Sequence, residues 1–135
     1  NGGPEYTVPA EIKTTLFHKK GVLAAARMMD EVNPKRASNG SQFYIVKGRI
    51  HTDRSLDSVE TFRLNGRKLP PAHREVYKKI GGSPHLDQGY TVFGEVISGL
   101  NIVDSIAGVP VSKGVFKDRP LVDVKIIRMK LVKRK

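Results

Sequence analysis

The sequence has no cysteine and no tryptophan among its 135 residues. Without cysteine there are no disulfides and no thiolate metal sites, and the redox compartment is left open. Aromatic residues make up only 7%. None of them interleaves with basic residues as a base-stacking platform for nucleic acid would require. No apolar run approaches the roughly 20 residues needed to span a bilayer, and no signal-peptide pattern is present. The histidines, His18, His51, His73 and His85, have no metal-ligand spacing. Ser41 has no histidine or acid at a spacing that would activate it. Gly2-Gly3 and Gly81-Gly82 are turn glycines, not a phosphate loop. Hydrolase, metal-dependent and nucleotide-dependent chemistries have no support, and no cofactor is expected.

What is present is charge. The formal net charge is +11, with 27% charged and 39% hydrophobic residues. This composition and length fit one soluble domain with a modest core. The basic residues are scattered, with small concentrations at Phe17-His18-Lys19-Lys20, Arg67-Lys68, Lys78-Lys79 and Lys133-Arg134-Lys135. A solvated surface is the expectation, and nucleic acid is not expected as a partner.

Asn1 to Pro4 reads as a flexible lead-in, and Tyr6 to Ile12 as extended chain that Pro9 confines to an edge. Strands are expected at Val22–Arg27, Gln42–Val46, Thr91–Val96 and Val122–Val132. A β-bulge is expected near Ile126-Ile127, where the apolar parity changes. Between residues 49 and 83 the spacing becomes helical. Thr52 is a candidate N-cap, Leu56, Val59 and Phe62 recur every three residues, and Asn65-Gly66 ends the helix. A second helix starts at Pro71, carries Ala72, Val76 and Ile80 on one stripe, and stops at Gly81-Gly82. Ser98 is expected to cap a third, short helix with Leu100, Val103, Ile106 and Ala107 inward.

Three stretches carry more than secondary structure. They are Gly21-Val22-Leu23-Ala24-Ala25-Ala26-Arg27, Asn39 to Val46 and His85 to Val96. Singly, Gln42 reads as an exposed strand residue, Tyr44 as a half-buried structural aromatic, Leu86 as core and Arg27 as a surface arginine. Jointly, their spacing resembles the cyclophilin family of peptidyl-prolyl isomerases, especially its bacterial members, from about Tyr6 to the C-terminus. The resemblance implies a mainly β fold, an antiparallel eight-stranded barrel closed by helices. Residues 1–135 would be the C-terminal part of one such domain, with a helical insertion at about 49–83. Four strands cannot close that barrel, so pairing with an N-terminal segment or a second copy is expected.

The resemblance also implies partners and site residues. The partners are proline-containing peptides or unfolded proteins. Gln42 and Tyr44 would face the substrate groove, while Phe43 and Ile45 point into the barrel. Leu86 would line the pocket floor, His85 stands where many members have tryptophan, and Tyr90 replaces a histidine. Ala26 and Arg27 would meet the peptide N-terminal to proline, with Met28 at the rim. No catalytic residue is matched. Phe17-His18-Lys19 imitates the family's phenylalanine-histidine-arginine strand but lies directly before Gly21, so the arginine is not carried onto Lys19; lysine also lacks its planar fork of donors. Isomerisation of X-Pro bonds is the implied activity, and a non-catalytic proline-peptide binding module is the alternative.

Overall fold

The computed structural model describes residues 6–114 and 117–133. The expected lead-in at 1–4 lies outside them, as does part of the loop expected at 111–118. Two small antiparallel sheets form. In one, β1 (Thr7–Val8) pairs with β3 (Ser38–Asn39). In the other, β2 (Val22–Ala25) lies between β4 (Phe43–Ile45) and β5 (Val92–Glu95). Pro9 follows β1 directly, where its missing N–H costs no ladder bond. The register of β2 on β5 slips between Leu23 and Ala24, the one irregularity in this ladder.

These three strands begin and end within two residues of their expected bounds, but among the described residues no barrel closes around them. Phe43 and Ile45 do share a face, with Phe93 of β5 edge-on to Phe43 at 6.1 Å between ring centroids. That face is bare: Phe43 and Phe93 are each 57% exposed. The opposite face carries Val22 and Ala24, both buried. The expected strand at Val122–Val132, and with it the bulge at Ile126-Ile127, does not form; Leu131 is 106% exposed. An alternating segment becomes a strand only against a ladder and an apolar face, and this one meets neither among the described residues.

The main hydrophobic cluster sits in the helical part. Helix α1 (Asp53–Phe62) starts at Thr52, whose hydroxyl accepts from the Ser55 N–H while the Ser55 hydroxyl accepts from the Thr52 N–H. Helix α2 (Pro71–Lys79) opens with proline in the first turn. Leu56, Leu64, Leu69 and Tyr77 form the cluster, with Phe17 and Val59 packed on it. The inward faces differ from those expected. Phe62 is 77% exposed, and α2 buries Tyr77 instead of the Ala72–Val76–Ile80 stripe. Tyr77 wins because Phe17 meets its ring and Asp87 accepts its hydroxyl, contacts that no helical periodicity contains.

Gly82 closes the base of this helical hairpin, bridging to Arg49 and to Lys19 ahead of β2. Its N–H donates to the Arg49 carbonyl at 3.0 Å, and a Cβ there would collide with the His18 carbonyl. Helix α3 (Leu100–Ala107) is N-capped by Gly99 at φ 85°, not by Ser98, and none of its residues is buried. Lys20 holds it to the sheet through Asp104 at 2.6 Å.

Candidate functional site

A polar chain runs from the buried interior to the surface of β4. The Asp87 carboxylate accepts the Tyr77 hydroxyl at 2.8 Å, the His18 backbone N–H at 2.8 Å and lies 3.1 Å from His18 Nδ1. His18 Nε2 lies 3.0 Å from the Tyr44 hydroxyl. An ionised carboxylate only accepts, so in the neutral imidazole Nδ1 carries the hydrogen and Nε2 receives the one from Tyr44. Burial pushes the Tyr44 hydroxyl well above its ordinary pKa, with the Tyr90 ring and Asp87 adding to the effect and Arg27 opposing it. The phenol therefore stays protonated and points inward. Tyr77 is pushed up still further, again first by burial and then by Asp87.

Around this chain the rings pack edge to face. Tyr44 meets Tyr90 at 5.8 Å and His18 meets Tyr90 at 6.1 Å. The Arg27 guanidinium covers Tyr90, with its central carbon 4.7 Å from the ring centroid. Arg27 also donates to the Gly89 carbonyl at 2.6 Å and the Met28 carbonyl at 2.9 Å, and pairs with Asp30 at 2.6 Å. Its side chain is only 8% exposed. This arginine clamps the Gly89–Tyr90 turn against β2.

Contacts join the expected site residues in two separate groups, Ala26 with Gln42 and Tyr44 with Tyr90, Arg27 and Met28. Ala26 donates its N–H to the Gln42 carbonyl at 3.0 Å, which sets the two side by side. Tyr44 reaches Tyr90, Arg27 covers Tyr90, and Leu86 accepts from Gly89 at 3.0 Å within its own turn. Met28 and His85 stand at the margins, Met28 largely solvent-exposed. Gln42 borders an open hollow of about 410 Å³ with Pro9, Asn39, Phe43 and Thr91. His85 borders a different one of the same volume. A third hollow, about 580 Å³, lies between Leu16, Phe17 and β5 and contains no expected site residue.

Sequence reasoning passed over His18, Asp87 and Tyr77. His18 drew attention only for imitating a motif, and Asp87 only as part of a quoted segment. A buried histidine that meets a phenol and an acid about 60 to 70 residues further along had no local pattern to reveal it. Among the described residues no group of acidic residues and histidines is placed to hold a metal ion.

The cyclophilin type peptidyl-prolyl cis-trans isomerase/CLD family model matches residues 1–131. The chain belongs to this family. It is 33% identical over 122 residues to a protein of Staphylococcus saprophyticus named "Putative peptidyl-prolyl cis-trans isomerase", covering 90% of this chain and 55% of that one. Proteins of the same name from Staphylococcus aureus and Staphylococcus epidermidis match at 33% over 116 residues, 86% of this chain and 52% of each. The chain thus spans about half the length of the curated relatives it matches. No helix among the described residues is long and apolar enough to cross a membrane.

Proposed function

We propose that the surface from Gln42 across Tyr44 to Leu86 binds proline-containing segments of flexible or unfolded proteins, and that the protein to which this chain belongs rotates their X-Pro bonds. The supporting observations are the Ala26–Gln42 bond and, beside it on β4, the packing of Tyr44 on Tyr90 under Arg27. Rotation about a peptide bond meets a barrier of about 18–20 kcal/mol, because twisting removes amide resonance. No bond breaks, so no nucleophile is required. A catalyst must bind the twisted amide better than either planar form, and each tenfold in rate needs about 1.4 kcal/mol of that preference. In this reading the Tyr44 ring, locked by His18 and Tyr90, makes a rigid apolar wall for the prolyl ring. The Gln42 amide takes a flanking carbonyl. Arg27 acts through the Gly89–Tyr90 turn that it holds, and the backbone of Ala26 meets the peptide before proline.

This reading treats residues 1–135 as the C-terminal part of one domain and the 49–83 hairpin as an insertion in it. The bare Phe43–Phe93 face supports it, since a finished barrel would enclose these rings. The cationic donor aimed at the prolyl nitrogen, a main source of electrostatic stabilisation, then comes from outside the residues matched here. The chain alone binds proline peptides but turns them over slowly. A protease-coupled assay with an Ala-Pro reporter peptide, run beside a peptide-binding titration, tests both halves. Binding with little rate is the expected result for the chain, and rate comparable with that of an intact family member overturns the incomplete-domain reading. Absence of both binding and rate in the full-length protein overturns the function. Binding with no rate in the full-length protein selects the non-catalytic binding module.

A further inference from the structure

The hollow beside His85 has a chemistry that peptide rotation does not use. It has a volume of about 410 Å³, and its lining includes Arg49, His51, Val59, Arg63, Ser83 and His85, with no carboxylate. Arg49 reaches it from the segment joined by backbone bonds to Gly82. Arg63 reaches it from the C-terminal end of α1, where it is the capping residue. The two arginines differ from most basic residues of the hairpin, and unlike Arg54 and Lys79, which also form no ion pair with a described residue, they line a hollow. Arg74 is spent on Asp53, Asp57 and Glu60, Lys68 on Glu60, Lys78 on Asp53 and Glu75, and Arg67 on the Asp87 carbonyl. Neither Arg49 nor Arg63 forms an ion pair with any described residue, and both face the same cavity. Burial and then the Arg63 charge hold the His85 imidazole below its ordinary pKa, as burial does for His51. The Arg49 charge acts on His51 in the same direction, so each arginine of the hollow lies near one of its imidazoles.

Resting on the proposed peptide surface, with His85 at its margin, we propose that this hollow is a subsite for an acidic side chain flanking the proline. Guanidinium groups present planar forks of donors that fit a carboxylate. Concentrating two of them without a counter-charge favours an anionic occupant and disfavours a lysine or arginine. The helical hairpin then acts as a selector: it supplies Val59 and Arg63 to a site at the edge of the groove and so chooses among X-Pro sequences.

Three proline peptides differing only in a flanking Glu, Gln or Lys provide the test, each measured for isomerisation by the full-length protein and for binding by titration. The expected preference for Glu over Gln is about fivefold at low salt, the scale of two partly exposed ion pairs. It shrinks toward unity at about 0.5 M salt, where screening is strong. Arg49→Gln and Arg63→Gln each lower the Glu-to-Gln ratio about twofold, and the double variant removes it. Lys79→Gln, which deletes an equal charge on the exposed side of α2, leaves the ratio unchanged. Equal use of the three peptides, or a preference that survives the double variant, overturns the inference. Failure to isomerise any peptide would remove the proposed activity, while the binding ratios would still decide whether the acidic subsite exists.

Discussion

The helical hairpin and the three-stranded sheet are neighbours built on opposite principles. The hairpin closes on itself: its cap, its turn and its charge network are all supplied within residues 52–78. Glu60 is nearly fully buried, yet it accepts from Lys68, the Leu69 N–H and Arg74, so no charge is stranded. The sheet closes on nothing. One face meets His18 and Tyr90 through Tyr44, and the other offers Phe43, Ile45 and Phe93 to solvent. A helix satisfies its backbone locally and needs one buried stripe, whereas a strand needs distant partners for both its edges and its faces.

The sharpest way to break this comparison is to cut the same kind of side chain from both regions. Leu56→Ala is expected to cost about 2–5 kcal/mol in denaturant unfolding, since it empties a filled core site. Phe43→Ala in the same chain is expected to cost under about 1 kcal/mol, because little surface is buried there. A Phe43→Ala cost equal to that of Leu56→Ala would show that the open face is covered in solution.

A smaller effect sharpens the hairpin side. Burial alone would raise the Glu60 pKa, but the bonds from Lys68, Leu69 and Arg74 overcome it and hold it at about 2, against 4.5 for the free group. A depressed carboxyl contributes stability that is present above the unfolded value and lost as pH falls through the folded one. Helical circular dichroism of the chain is therefore expected to weaken between about pH 4.5 and pH 2. Glu60→Gln is expected to be less stable at neutral pH by about 1–3 kcal/mol and to show a flatter acid limb. An unchanged acid limb in this variant would assign the transition to other carboxylates.

The smallest effect concerns the joint between the two regions. Tyr44→Phe removes the bond to His18 but keeps the ring, so a stability loss of about 1 kcal/mol is expected, with peptide affinity within about twofold of the parent. A larger loss of affinity, measured by titration with a proline peptide, would mean that the hydroxyl meets substrate and not only His18.

Local chemistry was readable in advance. Thr52 caps α1 and Pro71 opens α2 because capping and proline geometry involve only a few consecutive residues. The strands around Leu23, Tyr44 and Phe93 followed from alternation, and the spacing of Ala26-Arg27, Gln42 to Tyr44 and Leu86 to Tyr90 led to the family. Facing was less legible. Phe62 has the spacing of a core residue yet lies outside, and Tyr77 lies inside because Phe17 and Asp87 approach from elsewhere in the chain. Val122–Val132 has the alternation of a strand but no ladder to join.

Sequence by itself determined the family, the helix boundaries near Thr52 and Pro71, and the identity of the aromatic and amide residues on β4. Only tertiary structure decided that the Tyr44 hydroxyl turns inward to His18, that Arg27 is a clamp, and that Arg49 and Arg63 share a hollow with His85. The reason is physical: caps and periodicity act over one or two turns of chain. Burial and charge pairing instead depend on segments far apart in the chain, 69 residues for His18 and Asp87 and 84 for Lys20 and Asp104.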